Sequence, residues 1–194
     1  LGTAENKYPS LTGYIGEPTI NIAIMLLIIV GGIGFLTWDD IYTNKWHFKK
    51  YRMQSKVILV TTAILIIAPA VFFFFCDFTG LPLAERILAS LFQSVTPRTA
   101  GFNTADLSAM TGSSKAIMTL LMLVGGSPRS TAVGMTTTTL AVLILSAFSV
   151  CRKKDDAEVC GRRIDGSAVK NAAAVAVMYF LLFFVGGIVI STAE

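Results

Sequence analysis

A chain of 194 residues that is 54% hydrophobic and only 14% charged, with a mean hydropathy of +0.67, is not a soluble globular domain, which carries roughly 25% charged residues. The formal charge of +4 does not mark a nucleic-acid binder: of 16 Lys and Arg, five fall in residues 45–56 and six in residues 152–170, both short stretches between apolar runs. Cys76, Cys151 and Cys160 are too few and too far from histidine to build a disulfide framework or a zinc site.

Leu1 opens the chain with no basic leader and no cleavage signal, so no signal peptide is read and the sequence is expected to be an internal piece of a longer protein. Residues 1–16 lack periodicity and read as an extracellular loop. Glu17 and Pro18 suit a first helical turn. Residues 19–38 then form the first of three runs, with 57–76 and 168–190, that match the roughly 20 residues needed to cross a bilayer. Gly31, Gly32 and Gly34 are expected to allow close helix contact, since small residues let backbones approach in membranes. Asp39 and Asp40 oppose the dipole at the end of that run, so a partner is expected in the basic residues 45–52. His47, the only histidine, lies between Trp46 and Phe48 and reads as an interfacial residue rather than a proton relay.

The second run carries Pro69, where a kink is expected. Pro82 and Glu85 fit the first turn of a short apolar helix over residues 83–95, which is too short to span. A polar hairpin follows over residues 96–104. Such a pair suits a re-entrant pore helix whose negative dipole end points to mid-membrane and favours a cation. Asp77, Glu85 and Asp106 are candidates for concentrating cations at an outer mouth, with helix capping as the plainer role of Glu85. A broken apolar segment comes next: residues 116–126, then a hydroxyl-rich interruption, then 140–150. Irregular backbone at membrane depth requires surrounding protein or a water-filled cavity, and a discontinuous helix points to an ion or substrate site. The basic clusters place residues 42–56 and 151–168 in the cytoplasm and residues 1–18 and 77–115 outside.

Three stretches carry a resemblance. Residues 95–104 (VTPRTAGFNT) resemble the filter hairpin of the Trk/Ktr/HKT superfamily of potassium transporters, closer to the Ktr pore subunits than to Trk. Residues 125–140 (GGSPRSTAVGMTTTTL) resemble its intramembrane gating loop, and residues 31–41 (GGIGFLTWDDI) the end of its second-repeat inner helix. The resemblance implies an all-α integral membrane fold made of helix–pore-helix–helix repeats of a potassium-channel-like pore, with a broken second helix. By that pattern residues 1–56 hold an extracellular loop, the last helix of repeat 2 and a basic cytoplasmic loop. Residues 57–151 hold all of repeat 3, and residues 152–194 a cytoplasmic loop and the first helix of repeat 4. Four such repeats surround one pore, so this piece implies one quarter of a filter.

The resemblance further implies that carbonyls of Thr99, Ala100, Gly101 and Phe102 replace the hydration shell of potassium, the transported ion, with Arg98 and Asn103 as filter support. Gly125, Gly126, Ser127, Pro128, Arg129, Ser130, Thr131, Ala132, Val133 and Gly134 correspond to the gating loop, which extends to Thr138. Arg129 and Val133 stand where the family usually has Gly, and Thr136 where it has Lys; Arg129 is expected to replace the charge lost at position 136. No resident cofactor is implied; sodium dependence is a family trait. Implied partners are the lipid bilayer of the plasma membrane, a second copy of the subunit, and a cytoplasmic ring of nucleotide-binding regulatory subunits touching residues 45–56 and 152–170. No nucleic-acid partner is expected. Two other readings stand beside potassium uptake: a secondary transporter with an anion site at Ser127, Arg129, Ser130 and Thr131, and an assembly piece without transport of its own. An enzyme is disfavoured, for the sole histidine lies in a loop and no carboxylate lies in the broken helix.

Overall fold

A computed structural model describes residues 11, 14–45, 47–98, 100–105, 110–128, 130, 134–152, 158–159, 162–163 and 165–193. Seven helices dominate: α1 Pro18–Ile33, α2 Phe35–Asn44, α3 Met53–Cys76, α4 Leu83–Val95, α5 Gly112–Leu123, α6 Thr137–Cys151 and α7 Gly166–Ala193. Between α6 and α7 two-residue strands, β1 Glu158–Val159 and β2 Arg162–Arg163, pair antiparallel. Helices α3 and α7 are each long and apolar enough to cross a membrane, and the α1–α2 pair would be a third span if read as one.

The first apolar run is not the single helix expected over residues 19–38. It breaks at Gly34, and α2 leaves α1 at 96°. The cause is local and tertiary at once. Gly34 holds φ +83° and ψ 150°, a region essentially reserved for glycine, and so ends α1 there. The carbonyls freed by the break are taken by a partner distant in sequence, described below.

The α2 end confirms that Asp39 and Asp40 find a basic partner, and it is Arg52. The Arg52 guanidinium meets Asp39 Oδ2 at 3.3 Å and Asp40 Oδ1 at 3.4 Å. Asp40, buried, also accepts the Arg52 backbone N–H at 3.1 Å and the buried Ser55 hydroxyl at 2.5 Å. It thus caps the start of α3 across a chain reversal, where free N–H groups need an acceptor. Asp40→Ala orphans donors that cost about 1–3 kcal/mol each when buried. The unfolding midpoint of the full-length protein in detergent is therefore expected to fall clearly, while Asp39→Ala, which loses only an exposed pair, leaves it nearly unchanged. Equal midpoints for the two variants would refute this cap.

Helix α3 runs as one helix through Pro69. At its C-terminal end Phe73 is fully buried while Phe75 is exposed. The carbonyl of Phe74 accepts from Arg86 Nε at 2.8 Å and from Arg86 Nη2, and the guanidinium stacks 4.1 Å over the Phe74 ring. A cation at the C-terminal carbonyls of α3 also suits its dipole. Phe73, Ala89 and Met118 join α3, α4 and α5 in one apolar cluster, with Phe78 from the turn after α3. Met25 of α1 packs with Phe92 and Val95 of α4. Val124 and Met135 meet Ala176 of α7, with Leu65, Leu140, Leu143 and Tyr179 beside them. Asp165 starts α7: its carboxylate accepts the Ser167 hydroxyl at 2.6 Å, which holds its pKa below the usual carboxylate range.

Candidate functional site

Helix α4 is a half-length helix with the bounds expected from the sequence, Leu83–Val95. Thirteen residues cover about 20 Å, short of the roughly 30 Å hydrocarbon core. Its amphipathic pattern buries Ala89, Ser90, Phe92, Gln93, Ser94 and Val95, so it is enclosed by protein at its C-terminal half. The chain then reverses. The Thr96 carbonyl accepts from both Ala100 N–H, at 3.3 Å, and Gly101 N–H, at 3.1 Å. The Thr96 hydroxyl donates to the Phe102 carbonyl, and the Asn103 carbonyl accepts Leu11 N–H at 2.9 Å. One threonine thus ties both arms of the hairpin to the negative end of α4.

Gly101 sits at the turn with φ +73°, and nothing among the described residues lies within 4 Å of where a Cβ would be. Its need for glycine is therefore conformational, not steric. Gly101 and Phe102 are exposed and Ala100 is half-buried. Arg98 is turned inward, 6% exposed, and its Nε has no hydrogen-bond partner among the described residues. Among those residues the ion pairs involve Arg52, so no carboxylate neutralises Arg98. Thr99 lies outside the described residues, as do Asp106, Arg129, Thr131, Ala132 and Val133.

Asp77 holds the start of a helix. Its carboxylate accepts Thr111 N–H at 2.9 Å and the Ser114 hydroxyl, which fixes the start of α5 to the end of α3. Glu85 lies in the first turn of α4, where the helix dipole favours an acid.

The interruption between α5 and α6 is present, with shifted edges. α5 ends at Leu123 and α6 begins at Thr137, so Thr137 and Thr138, expected in the loop, are helical. The four threonines are a helix start: Thr136 is the cap, and its hydroxyl accepts Thr139 N–H at 3.3 Å. The two ends of the interruption are stitched together. Gly125 N–H donates to the Met135 carbonyl at 2.9 Å, Met135 N–H to Leu123 at 3.2 Å, and Thr137 N–H to Gly126 at 3.0 Å. Gly134 holds φ +118°, and a Cβ there would lie 3.1 Å from Gly125 N. Pro128 is half-buried, and Ser130 N–H donates to the Ser127 carbonyl at 3.1 Å.

No local pattern signals what Ser127 does. Its N–H donates to the Gly32 carbonyl at 2.9 Å and its hydroxyl to the Ile33 carbonyl. These are the carbonyls that the break at Gly34 leaves without helical partners. Two interrupted helices, one from each side of the chain reversal, therefore meet and satisfy each other. The closeness expected of Gly31–Gly34 is real, but it serves a loop rather than a helix. Ser127 has both donors committed, which removes it from the alternative anion site. Along α1, Met25 lies level with the C-terminal end of α4 and Ile33 level with Ser127. Eight residues of helix separate these contacts, about 12 Å. The C-terminal end of α4 and the interrupted segment thus touch α1 at two levels along its length.

The sequence model of the cation transport protein family TrkH matches residues 52–194. The Ktr system potassium uptake protein B of Bacillus subtilis is 32% identical over 191 residues, 95% of this chain and 43% of that protein. The potassium/sodium uptake protein NtpJ of Enterococcus hirae is 36% identical over 178 residues, 89% of this chain and 39% of that protein. The crystal structure of the potassium transporter TrkH from Vibrio parahaemolyticus superposes with a TM-score of 0.74 at 18% identity, covering 95% of this chain and 41% of that one. That likeness concerns the fold, an all-helical membrane architecture. The chain spans about two fifths of the length of these relatives.

Proposed function

Because this chain belongs to the TrkH family of cation transport proteins, Trk/Ktr pore subunits that are transporters and not enzymes, we propose that it builds part of the translocation path of a potassium uptake system. Carbonyls at Thr99, Ala100, Gly101 and Phe102 face the ion, and Arg98 and Asn103 support them from behind. The observation that carries this reading is the turn at Gly101: positive φ, exposed, and tied by Thr96 to the negative end of a helix too short to span. Main-chain oxygens held so replace water around a monovalent cation. Residues 57–151 act as one complete repeat, flanked by the end of a preceding repeat in 1–56 and the start of a following one in 152–194.

The interrupted segment from Gly125 to Gly134 serves as the barrier beneath the filter. Its attachment through Ser127 to the end of α1 supports a gate with a defined closed position. Residues 42–56 and 151–168 lie on the cytoplasmic side of the plasma membrane and meet a ring of regulatory subunits, with a second copy of the pore subunit alongside. The test is uptake by the full-length protein in cells lacking other potassium systems. Rubidium or potassium accumulation is expected to exceed the empty-vector level severalfold and to compete with each other. Uptake of a labelled anion in place of these cations would overturn the proposal in favour of a site around Arg129.

A further inference from the structure

Helices α3 and α6 leave a groove of about 320 Å³ between them, lined by Val60, Ile64 and Leu65 from one helix and Leu140, Ile144 and Leu145 from the other. Its wall is apolar apart from Thr61 and, at one end, Lys56. From Lys56 to Leu65 the groove follows α3 for nine residues, about 14 Å, close to one leaflet of a roughly 30 Å hydrocarbon core. The Lys56 ammonium donates to the Lys49 carbonyl at 2.8 Å, which holds it at the mouth beside the turn Phe48–Lys50. Phe48 lines the same mouth. Arg52 is occupied by Asp39 and Asp40, whereas among the described residues no carboxylate lies within ion-pair distance of Lys49, Lys50 or Lys56. An apolar slot about one leaflet deep therefore opens under a mouth whose lysines have no carboxylate partner among the described residues.

We propose that this groove binds an anionic glycerophospholipid of the cytoplasmic leaflet, one acyl chain lying between α3 and α6 and the phosphate meeting Lys56. Cations at a membrane surface attract anionic headgroups, and long lysine side chains bury their stems while keeping the ammonium at the interface. A zwitterionic headgroup would bring its own cation to the lysines and gain less. The inner end of the groove is formed by Leu65 and Leu140, which pack in the same cluster as Val124 and Met135. A bound acyl chain would thus press on the residues that close the interrupted segment. This rests on the topology proposed above, which places Lys56 on the cytoplasmic side.

The test uses the purified full-length protein in phosphatidylcholine vesicles doped with phosphatidylglycerol or with phosphatidylcholine bearing a diazirine on the acyl chain, followed by peptide mapping of the adducts. Phosphatidylglycerol is expected to label residues 57–65 and 140–145 about fivefold more than the choline lipid, the preference that a basic residue near the surface provides. Lys56→Gln should remove that excess, and Ile144→Trp, which fills the groove, should lower labelling by both lipids. Equal labelling by the two lipids, or an excess that survives Lys56→Gln, overturns the proposal. So does the absence of any adduct in the groove, which would mean that protein covers it. Rubidium uptake is measured on the same preparations, so that failure of the transport reading is seen separately from failure of the lipid site.

Discussion

Gly34→Ala in the full-length protein is expected to abolish correct assembly of the α1–α2 break, with a loss of about 2–6 kcal/mol in stability from strain and overpacking together. Two penalties act at one atom. The backbone at φ +83° and ψ 150° excludes a side chain, and the new Cβ would fall inside the contact distance of the Ser127 hydroxyl and 3.0 Å from the Pro128 carbonyl. Ser127→Ala alone removes one hydrogen bond to the Ile33 carbonyl and leaves the N–H bond to Gly32, so its cost should be smaller, about 1–3 kcal/mol. Combining them separates the penalties. The double variant should recover the share due to the Ser127 hydroxyl and keep the backbone and Pro128 shares, giving a cycle that is less than additive. Thermal unfolding in detergent, read by intrinsic fluorescence, measures all four corners. A Gly34→Ala protein as stable as the parent would show that the break and the Ser127 attachment are not coupled as described.

Gly101→Ala is expected to lower potassium or rubidium uptake by about tenfold while leaving the unfolding midpoint close to that of the parent. A Cβ at this position would meet nothing among the described residues, so packing is not the source of the effect. The source is the dihedral: an L-residue resists this left-handed conformation by about 1–2 kcal/mol, and about 1.4 kcal/mol is a factor of ten in an equilibrium. Relaxing φ would swing the carbonyls on either side of the turn away from the ion. Gly112→Ala is the matched control, since Gly112 also has open space around it but lies in the first turn of α5 with no positive φ. Uptake by Gly101→Ala within a factor of two of the parent, with Gly112→Ala equal to it, would remove the filter assignment.

Much of this architecture was legible in the amino-acid order because it follows from local terms. The runs that became α3 and α7 are continuous apolar stretches of spanning length, and such stretches lower their free energy in lipid as helices whatever surrounds them. The bounds of α4 came from equally local signals: Pro82 before it, Glu85 in the first turn, and the Thr96-Pro97 exit. Even the pairing of Asp39 and Asp40 with a nearby base could be anticipated from two acids facing an unfavourable dipole. The interruption between α5 and α6 was visible too, though not its edges, because four threonines fit an unwound backbone and a capped first turn equally well.

What composition and spacing determined, then, was which runs are long and apolar enough to cross a membrane, that α4 is too short to do so, and where the chain must turn. Tertiary structure alone decided that the first run breaks at Gly34, that Asp77 holds the start of α5, and that Ser127 closes the end of α1. The physical reason is the same in each case. A helix end in an apolar medium leaves carbonyls or N–H groups that must be satisfied, and here the satisfying groups come from residues 34 to 94 positions away, a distance across which no local pattern carries information.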